Sequence, residues 1–297
     1  MSSRAPSQTP PACPLCGGGS RLLSARGDRS LHRCTRCRHL WVPQGVKTSA
    51  AGIAIYDDDQ SLFFGEGRAD YYLDDTAREA AAAKLAWVEA HVPNRGVLLD
   101  IGANVGHFAK AAAARFETTA IEPNVHAVRW ARERLHAPVA AGSIYDAHPA
   151  FAGRFDAVTL FDVIEHLPDA KGALAQCRRW LRPGGRLFVT TPDAGSLAAR
   201  VMGRHWHYID LDEHIGLLSR ATLGRLLADC GFRAIAWRSV GRRYRFSYVE
   251  ARLRHLARDT AALRVAHLAA QPLRLWPSGR VWISLGDVMG VVAEPLP

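Results

Sequence analysis

From residue 77 onward, short apolar runs alternate with longer stretches in which apolar residues recur every three to four positions. The runs at 96–101, 118–122, 155–161 and 186–191 read as buried strands. The stretches at 104–116, 124–135, 169–181 and 219–230 read as amphipathic helices. This alternation predicts an α/β fold, a parallel sheet with helices on both faces. A further helix, Ala77 to Ala90, precedes the first strand and ends before Pro93-Asn94. Gly231-Phe232 opens a strand running through Val240, and Leu285 to Ala293 reads as the last strand. Between these two, Phe246 to Gln271 is Arg-rich, with Val249, Leu253, Leu256, Thr260 and Leu263 at helical spacing. A basic amphipathic helix of this kind is expected to cap the domain rather than lie on a membrane.

The first 45 residues follow another logic. Cys13-Pro-Leu-Cys16 and Cys34-Thr-Arg-Cys37 are two C-x-x-C knuckles at the spacing of a four-thiolate zinc ribbon, with Gly17, Gly18 and Gly19 giving turn freedom after the first pair. Cys13, Cys16, Cys34 and Cys37 are therefore the expected ligands of a structural Zn²⁺; His39 lies just beyond a set that is already complete. Cys177 and Cys230 stand alone in helical patterns and read as packing residues. Residues 46–78 form a linker of changed composition, with Tyr56-Asp57-Asp58-Asp59, Phe63-Phe64-Gly65 and Tyr71-Tyr72-Leu73.

Composition adds limits. At 297 residues with 48% hydrophobic and 22% charged residues, the chain can bury a full α/β core and carry a small extra module. No window approaches the ~20 apolar residues of a membrane span, and the N-terminus lacks a signal peptide's apolar run, so a soluble cytoplasmic protein is expected. The formal charge of +10 comes mostly from arginine, with Arg21, Arg26, Arg29, Arg33, Arg36 and Arg38 in the ribbon. Such a surface attracts phosphates or acidic glycans where it clusters.

The chemistry is concentrated in Val97-Leu-Leu-Asp-Ile-Gly-Ala-Asn-Val-Gly106, where an apolar strand enters a turn built from Asp100, Gly102, Asn104 and Gly106. Glycines without Cβ atoms let a ligand approach the amides that open the next helix, and Asn tolerates the positive φ that a third glycine would otherwise supply. The spacing D-x-G-x-N-x-G departs from the G-x-G-x-x-G of dinucleotide loops and disfavours a pyrophosphate. Glu122 ends the second strand about 20 residues on, where a βαβ unit places an acid on ribose hydroxyls.

Together with Phe155 to Leu167 and the Leu181-Arg-Pro-Gly-Gly-Arg-Leu187 turn, these segments resemble, in order, the S-adenosylmethionine (SAM) site of class I methyltransferases. The resemblance covers residues 79–245 and implies a Rossmann-like seven-stranded sheet, with 246–297 supplying a helical hairpin insertion and the last strand. It implies that Asp100, Gly102, Asn104 and Gly106 shape the pocket for the methionine portion of SAM, that Glu122 accepts from the ribose, that Ser143 and Ile144 flank adenine, and that Phe161 and Asp162 line the pocket near the sulfonium. The aromatic linker, Tyr71 and Tyr72 included, takes the place of a lid.

For the acceptor, His166 follows the fourth strand at the sheet edge where ligands of open α/β sheets bind. His207 and His214 lie in an insertion that overhangs the same edge, within a W…EH pattern formed by Trp206, Glu213 and His214. These three histidines are the candidates for base or acceptor-orienting residue. The whole pattern is similar to methyltransferases of the ubiquinone-biosynthesis type and relatives acting on small molecules, sugars or glycans, which implies transfer to such an acceptor, at oxygen. One alternative is an RNA methyltransferase using the basic ribbon; against it, the N/D-P-P-Y-type tetrad of base-methylating enzymes is replaced by Phe161-Asp-Val-Ile-Glu-His166, and Trp41 is the sole stacking candidate in the ribbon. The other is a SAM-binding scaffold without catalysis.

Overall fold

The computed structural model describes residues 10–27, 29–43, 75–92, 95–211, 214–246, 250, 254, 261–276 and 279–297. The expected lid, with Tyr71 and Tyr72, and Asp212-Glu213 lie outside the described residues.

The strands are, in chain order, β1 (Ser20–Arg26), β2 (Arg29–Cys34), β3 (Leu40–Trp41), β4 (Val97–Ile101), β5 (Glu117–Glu122), β6 (Val139–Ala141), β7 (Phe155–Phe161), β8 (Leu181–Pro192), β9 (Gly216–Leu217), β10 (Phe232–Ser239), β11 (Arg242–Arg245), β12 (Arg280–Ile283) and β13 (Val288–Pro295). The α-helices are α1 (Asp75–Glu89), α2 (His107–Ala113), α3 (Val125–Trp130), α4 (Ala170–Trp180), α5 (Leu197–Met202), α6 (Arg220–Asp229) and α7 (Ala261–Ala270).

A seven-stranded sheet runs in the order β10-β13-β8-β7-β4-β5-β6. The pairs from β6 to β8 are parallel, and β13 inserts antiparallel between β8 and β10. All seven residues of the central strand β7 are buried, so its apolar residues do not alternate with exposed ones, and the two polar residues, Asp156 and Thr159, are buried with them. The period of two still sorts side chains between faces: Val158 and Leu160 join α4 and α6 in one cluster, while Ala157 and Phe161 join α1 and α2 in another. Asp100 falls in step with Leu98, and thus toward α1 and α2. On α4, Ala173, Leu174, Cys177 and Trp180 share the buried stripe, so Cys177 is a packing residue.

Two expectations are corrected. The fifth parallel strand begins at Leu181 rather than at 186, because Leu181 already pairs with Phe155; Pro183, Gly184 and Gly185 form an irregularity before Arg186 pairs with Ala157. Residues 246–297 hold a strand besides the expected hairpin and last strand, because β12 pairs with β11 in a small antiparallel ribbon, from which Arg280 reaches Glu79 of α1 at 2.8 Å.

The N-terminal module is a sheet in the order β1-β2-β3-β9. Its last strand belongs to the insertion that follows β8: Leu40 pairs with Leu217 and Trp41 with Gly216. Lys171 on α4 donates to the Leu15 carbonyl at 3.0 Å, and Arg29 to the Leu211 carbonyl at 2.7 Å. The ribbon is thus built into the catalytic domain through main-chain bonds, not tethered beside it.

Candidate active site and metal centre

At the carboxyl end of β4 the chain turns through three residues with positive φ: Gly102 at 70°, Asn104 at 52° and Gly106 at 84°. The two glycines have no substitute there, since a Cβ on Gly102 would meet Val163 at 2.6 Å and one on Gly106 would meet Ala137 at 2.7 Å. Asn104 adopts the left-handed conformation expected of it, and its Oδ1 accepts from the Val105 amide at 2.6 Å.

Glu122 is buried and holds this turn in place. Its two carboxylate oxygens accept from the backbone amides of Asn104 (2.8 Å) and Asn124 (2.9 Å), clamping the cofactor loop to the end of β5. Asn124 in turn caps α3 by accepting from His126 and Ala127. Burial raises the Glu122 carboxyl, and the two amides pull it back.

Asp100 is buried and accepts from Thr159 Oγ1 at 2.7 Å. Burial pushes its carboxyl up to about 7, against the Thr159 hydrogen bond and the Lys84 cation, which lower it. Such a group ionises readily when a cation is brought beside it. Asp162 stands at φ 61° after β7, where Lys84 of α1 approaches its Oδ2 at 3.3 Å and Thr190 donates to its Oδ1 at 3.1 Å. The Lys84 ammonium also lies 4.9 Å from the Phe161 ring centre. Lys84 was not anticipated from sequence.

Two expected adenine neighbours are placed differently from each other. Ser143 opens a turn in which its amide donates to Asp146 at 2.6 Å, whereas the Ile144 side chain is packed in the main core. Phe161 likewise packs between Trp87 and Phe108, so its ring serves as the floor beneath Asp162.

Across the edge, Ile164–His166 forms a 3-10 turn. It places Glu165 inward, fully buried, with Thr191 donating to its Oε2 at 2.9 Å; burial and the nearby Asp162 carboxylate push Glu165 up to about 7. The Ile215 amide donates to the Glu165 carbonyl at 3.0 Å and draws the insertion down onto this turn. One ligand-capable atom each from Glu165, His166 and His214 lies within 4.8 Å of the others, and the two imidazole centres are 4.9 Å apart. His207 does not join them. Its Nε2 lies 3.7 Å from Asp287, which also accepts from Trp206, and its ring packs on Tyr208.

In the ribbon the four sulfurs lie within 4.8 Å of one another, with Cys13 and Cys37 at 3.6 Å and Cys16 and Cys34 at 3.5 Å. These separations are far beyond a disulfide bond and close to the ~3.8 Å edge of a tetrahedron with Zn–S of ~2.3 Å. The Arg36 and Cys37 amides both donate to Cys34 Sγ at 3.3 Å, the usual stabilisation of a thiolate knuckle. A Cβ on Gly18 would sit 3.2 Å from Cys34 Sγ and 3.3 Å from Cys16 Sγ, so a larger residue there would crowd the two sulfurs. The donor set fits a tetrahedral ion. His39 stacks on Trp41 instead of entering the set. Trp41 is itself buried, which removes the stacking platform that single-strand RNA binding would use.

Residues 69–236 match the methyltransferase-domain family. The chain belongs to that family. Its fold is that of the class I SAM-dependent methyltransferases. Among curated relatives, the ubiquinone biosynthesis O-methyltransferase of Thiobacillus denitrificans is 34% identical over 36% of this chain and 50% of its own length. The protein of the same name from Xanthomonas oryzae pv. oryzae is 31% identical over 42% of this chain and 60% of its own. The chain thus spans about half the length of the relatives it matches. Among solved structures, a putative methyltransferase from Bacillus halodurans superposes with a TM-score of 0.52 at 16% identity, covering 72% of this chain and 98% of that one. The 1,6-didemethyltoxoflavin-N1-methyltransferase of Burkholderia thailandensis, solved with S-adenosylhomocysteine, gives 0.51 at 16% identity over 93% and 99%. Methyltransferase sequence patterns made Asp100, the glycines and Glu122 legible. Glu165 and Lys84 carried no such signal, since a carboxylate after a strand and a lysine in an Ala-rich helix read as solvated.

Proposed function

We propose that this methyltransferase transfers the methyl group of SAM to an oxygen of a small-molecule, sugar or glycan acceptor. The observation that carries this reading is the convergence of Glu165, His166 and His214 beside Asp162, at the sheet edge where the Asp100 to Gly106 turn also lies. When bound, SAM supplies an electrophilic methyl carbon on a sulfonium. The chain's task is then to position the two partners and to make the acceptor oxygen nucleophilic.

Asp100 and Asp162 offer carboxylates to the cationic end of the cofactor, Glu122 keeps lone pairs for ribose hydroxyls while holding the loop, and Ser143 stands at the adenine end. Positive-φ backbone at Gly102 and Gly106 lets the ligand approach the amides closely. On the other wall, the Glu165–His166–His214 group faces the position of the acceptor and promotes the loss of its hydroxyl proton. The name shared by the curated relatives supports oxygen as the methylated atom and a small molecule as the acceptor. In the ribbon, Cys13, Cys16, Cys34 and Cys37 hold a structural Zn²⁺, and the buried Trp41 supports a scaffolding rather than an RNA-binding role.

Among the described residues, no helix is long and apolar enough to cross a membrane. Incubating the purified protein with labelled SAM and fractionated cell extract, followed by mass spectrometry, tests the reading. A labelled small-molecule or glycan ether or ester is the expected product. Label found only in RNA, and lost on Arg-to-Glu changes at Arg21 and Arg36, would overturn it; label in no product would favour a scaffold.

A further inference from the structure

We propose that Glu165, His166 and His214 form a second metal site, distinct from the thiolate ribbon, that takes a divalent first-row transition ion and, through it, an acceptor presenting two neighbouring oxygens. The inference deepens the proposed methyl transfer to oxygen and rests on that reading for the identity of the ligand, but not for the ion.

Three features point to metal. The first is the donor set: two imidazoles and one carboxylate, each with a ligand-capable atom within 4.8 Å of the others. Such a set holds zinc or iron with coordination positions left open, unlike the closed four-thiolate ribbon. Bond lengths of ~2.0–2.2 Å require only side-chain rotations of about an ångström to close the three onto one ion.

The second is orientation. His214 Nδ1 lies 2.7 Å from the Tyr208 carbonyl oxygen. A carbonyl only accepts, so Nδ1 carries the hydrogen, and in the neutral ring Nε2 is the electron-pair donor. A backbone carbonyl fixing the tautomer of a histidine in this way is the usual outer support of a metal-bound imidazole. Glu165 has the matching support, since Thr191 donates to its Oε2 at 2.9 Å and holds the carboxylate in one rotamer.

The third is placement. The trio sits on a turn and an insertion fastened together by the Ile215 amide and the Glu165 carbonyl, so the ligands come from two segments whose separation is fixed by a main-chain bond. The group lies at the carboxyl edge of the sheet, next to Asp162, where the acceptor must meet the methyl donor. Three protein ligands on one side of an ion leave neighbouring positions open on the other. Two adjacent acceptor oxygens fill such positions as a chelate, which a lone hydroxyl does not do.

The reaction balances without a further reagent. The ion lowers the pKa of the coordinated hydroxyl, whose O–H bond breaks with its proton passing to water. The oxygen forms its bond to the methyl carbon as the carbon–sulfur bond breaks, and sulfur keeps the electron pair. In this account His166 and His214 serve as ligands rather than as the proton's destination.

The test uses the full chain with its ribbon ion in place, titrated with Co²⁺ while the optical spectrum and the metal content per chain are followed. The expected result is one added Co²⁺ in a nitrogen- and oxygen-ligated site, without the intense thiolate charge-transfer bands. Catechol should perturb its ligand-field bands and resorcinol should not. Glu165→Gln and His214→Asn should each weaken the added ion at least about tenfold, while SAM binding by calorimetry shows that both variants remain folded. Wild-type protein that takes no ion beyond the ribbon's, or variants that bind it as tightly, would overturn the site. Co²⁺ binding with equal responses to catechol and resorcinol would overturn the chelating acceptor. Methyl transfer to oxygen that survives removal of every non-ribbon ion would sink the metal and leave the proposed function standing; a bound ion with no methyl transfer to any acceptor would do the reverse.

Discussion

Val42 donates its backbone N–H to the carbonyl of Ile215 at 3.0 Å, so the strand that leaves the cysteine ribbon is hydrogen-bonded to the residue after His214. With Leu40 paired to Leu217 and Trp41 to Gly216, the ribbon's sheet ends in the segment that carries His214. Among the described residues, the ribbon thus joins the segment carrying His214 through main-chain bonds, and none of its side chains belongs to the Glu165–His166–His214 group.

Loss of the ribbon ion should accordingly be felt at the acceptor and not at the cofactor. Cys34→Ser is expected to lower zinc content, to raise amide hydrogen exchange at Val42 and at Ile215 to Leu217, and to reduce methyl transfer on the order of a hundredfold, the scale of an ångström's misplacement. SAM affinity should change by less than about twofold, because the Asp100 to Gly106 loop bonds to β5 and not to the ribbon. Unchanged exchange at 215–217 in a zinc-depleted variant would refute the coupling.

Asp100 should make the protein's stability and cofactor affinity depend on pH in opposite directions. Its carboxyl is raised by burial to about 7 in the folded chain, so between the unfolded aspartate range and pH 7 the folded state binds the extra proton. That contribution to stability is complete below about pH 4 and is lost as pH rises through about 7. In ligand-free protein the Tm should fall from pH 5.5 to pH 8, and Asp100→Asn should flatten the slope. A cationic cofactor prefers the ionised form, so SAM affinity should rise over the same interval with release of a proton, measurable by calorimetry in buffers of different ionisation enthalpy. Lys84 lowers the Asp100 carboxyl, and Lys84→Met should move the midpoint of that rise to higher pH. A pH-independent affinity in wild type would refute the assignment.

What could be read from the chain before folding was what depends on local rules. The positive-φ positions and the order of β4, β5, β7 and β8 follow from periodicity and glycine placement, and so the turn holding Asp100, Gly102 and Asn104 and the strand end holding Glu122 are legible in the chain. The two-residue strand β9 was not legible, because Gly216-Leu217 has no periodicity of its own and acquires its pairing from Leu40-Trp41 far away in sequence. Glu165 was missed because its burial follows from the insertion closing over the 3-10 turn, a tertiary event. The placement of His207 apart from His214 is tertiary too, since proximity in sequence says nothing about the Tyr208 ring between them or the Asp287 carboxylate beside it.

The cofactor loop separates two demands on a left-handed residue, and a short substitution series can measure them. Gly102 needs both φ 70° and empty space, because a Cβ would meet Val163 at 2.6 Å; Asn104 needs the φ of 52° and a side-chain acceptor for the Val105 amide. Gly102→Ala should therefore cost about 2 to 4 kcal/mol, the sum of left-handed strain and overpacking. Asn104→Ala should cost about 2 kcal/mol through strain and an unpaired amide, and Asn104→Gly should cost less than about 1 kcal/mol, since glycine removes the strain while losing the hydrogen bond. The Tm values should fall in the order wild type, Asn104→Gly, Asn104→Ala, Gly102→Ala, at roughly 2 to 4 °C per kcal/mol for a chain of this size. If Gly102→Ala melts within a degree of wild type, Val163 yields at no cost, and the close approach of Val163 to Gly102 does not constrain the loop.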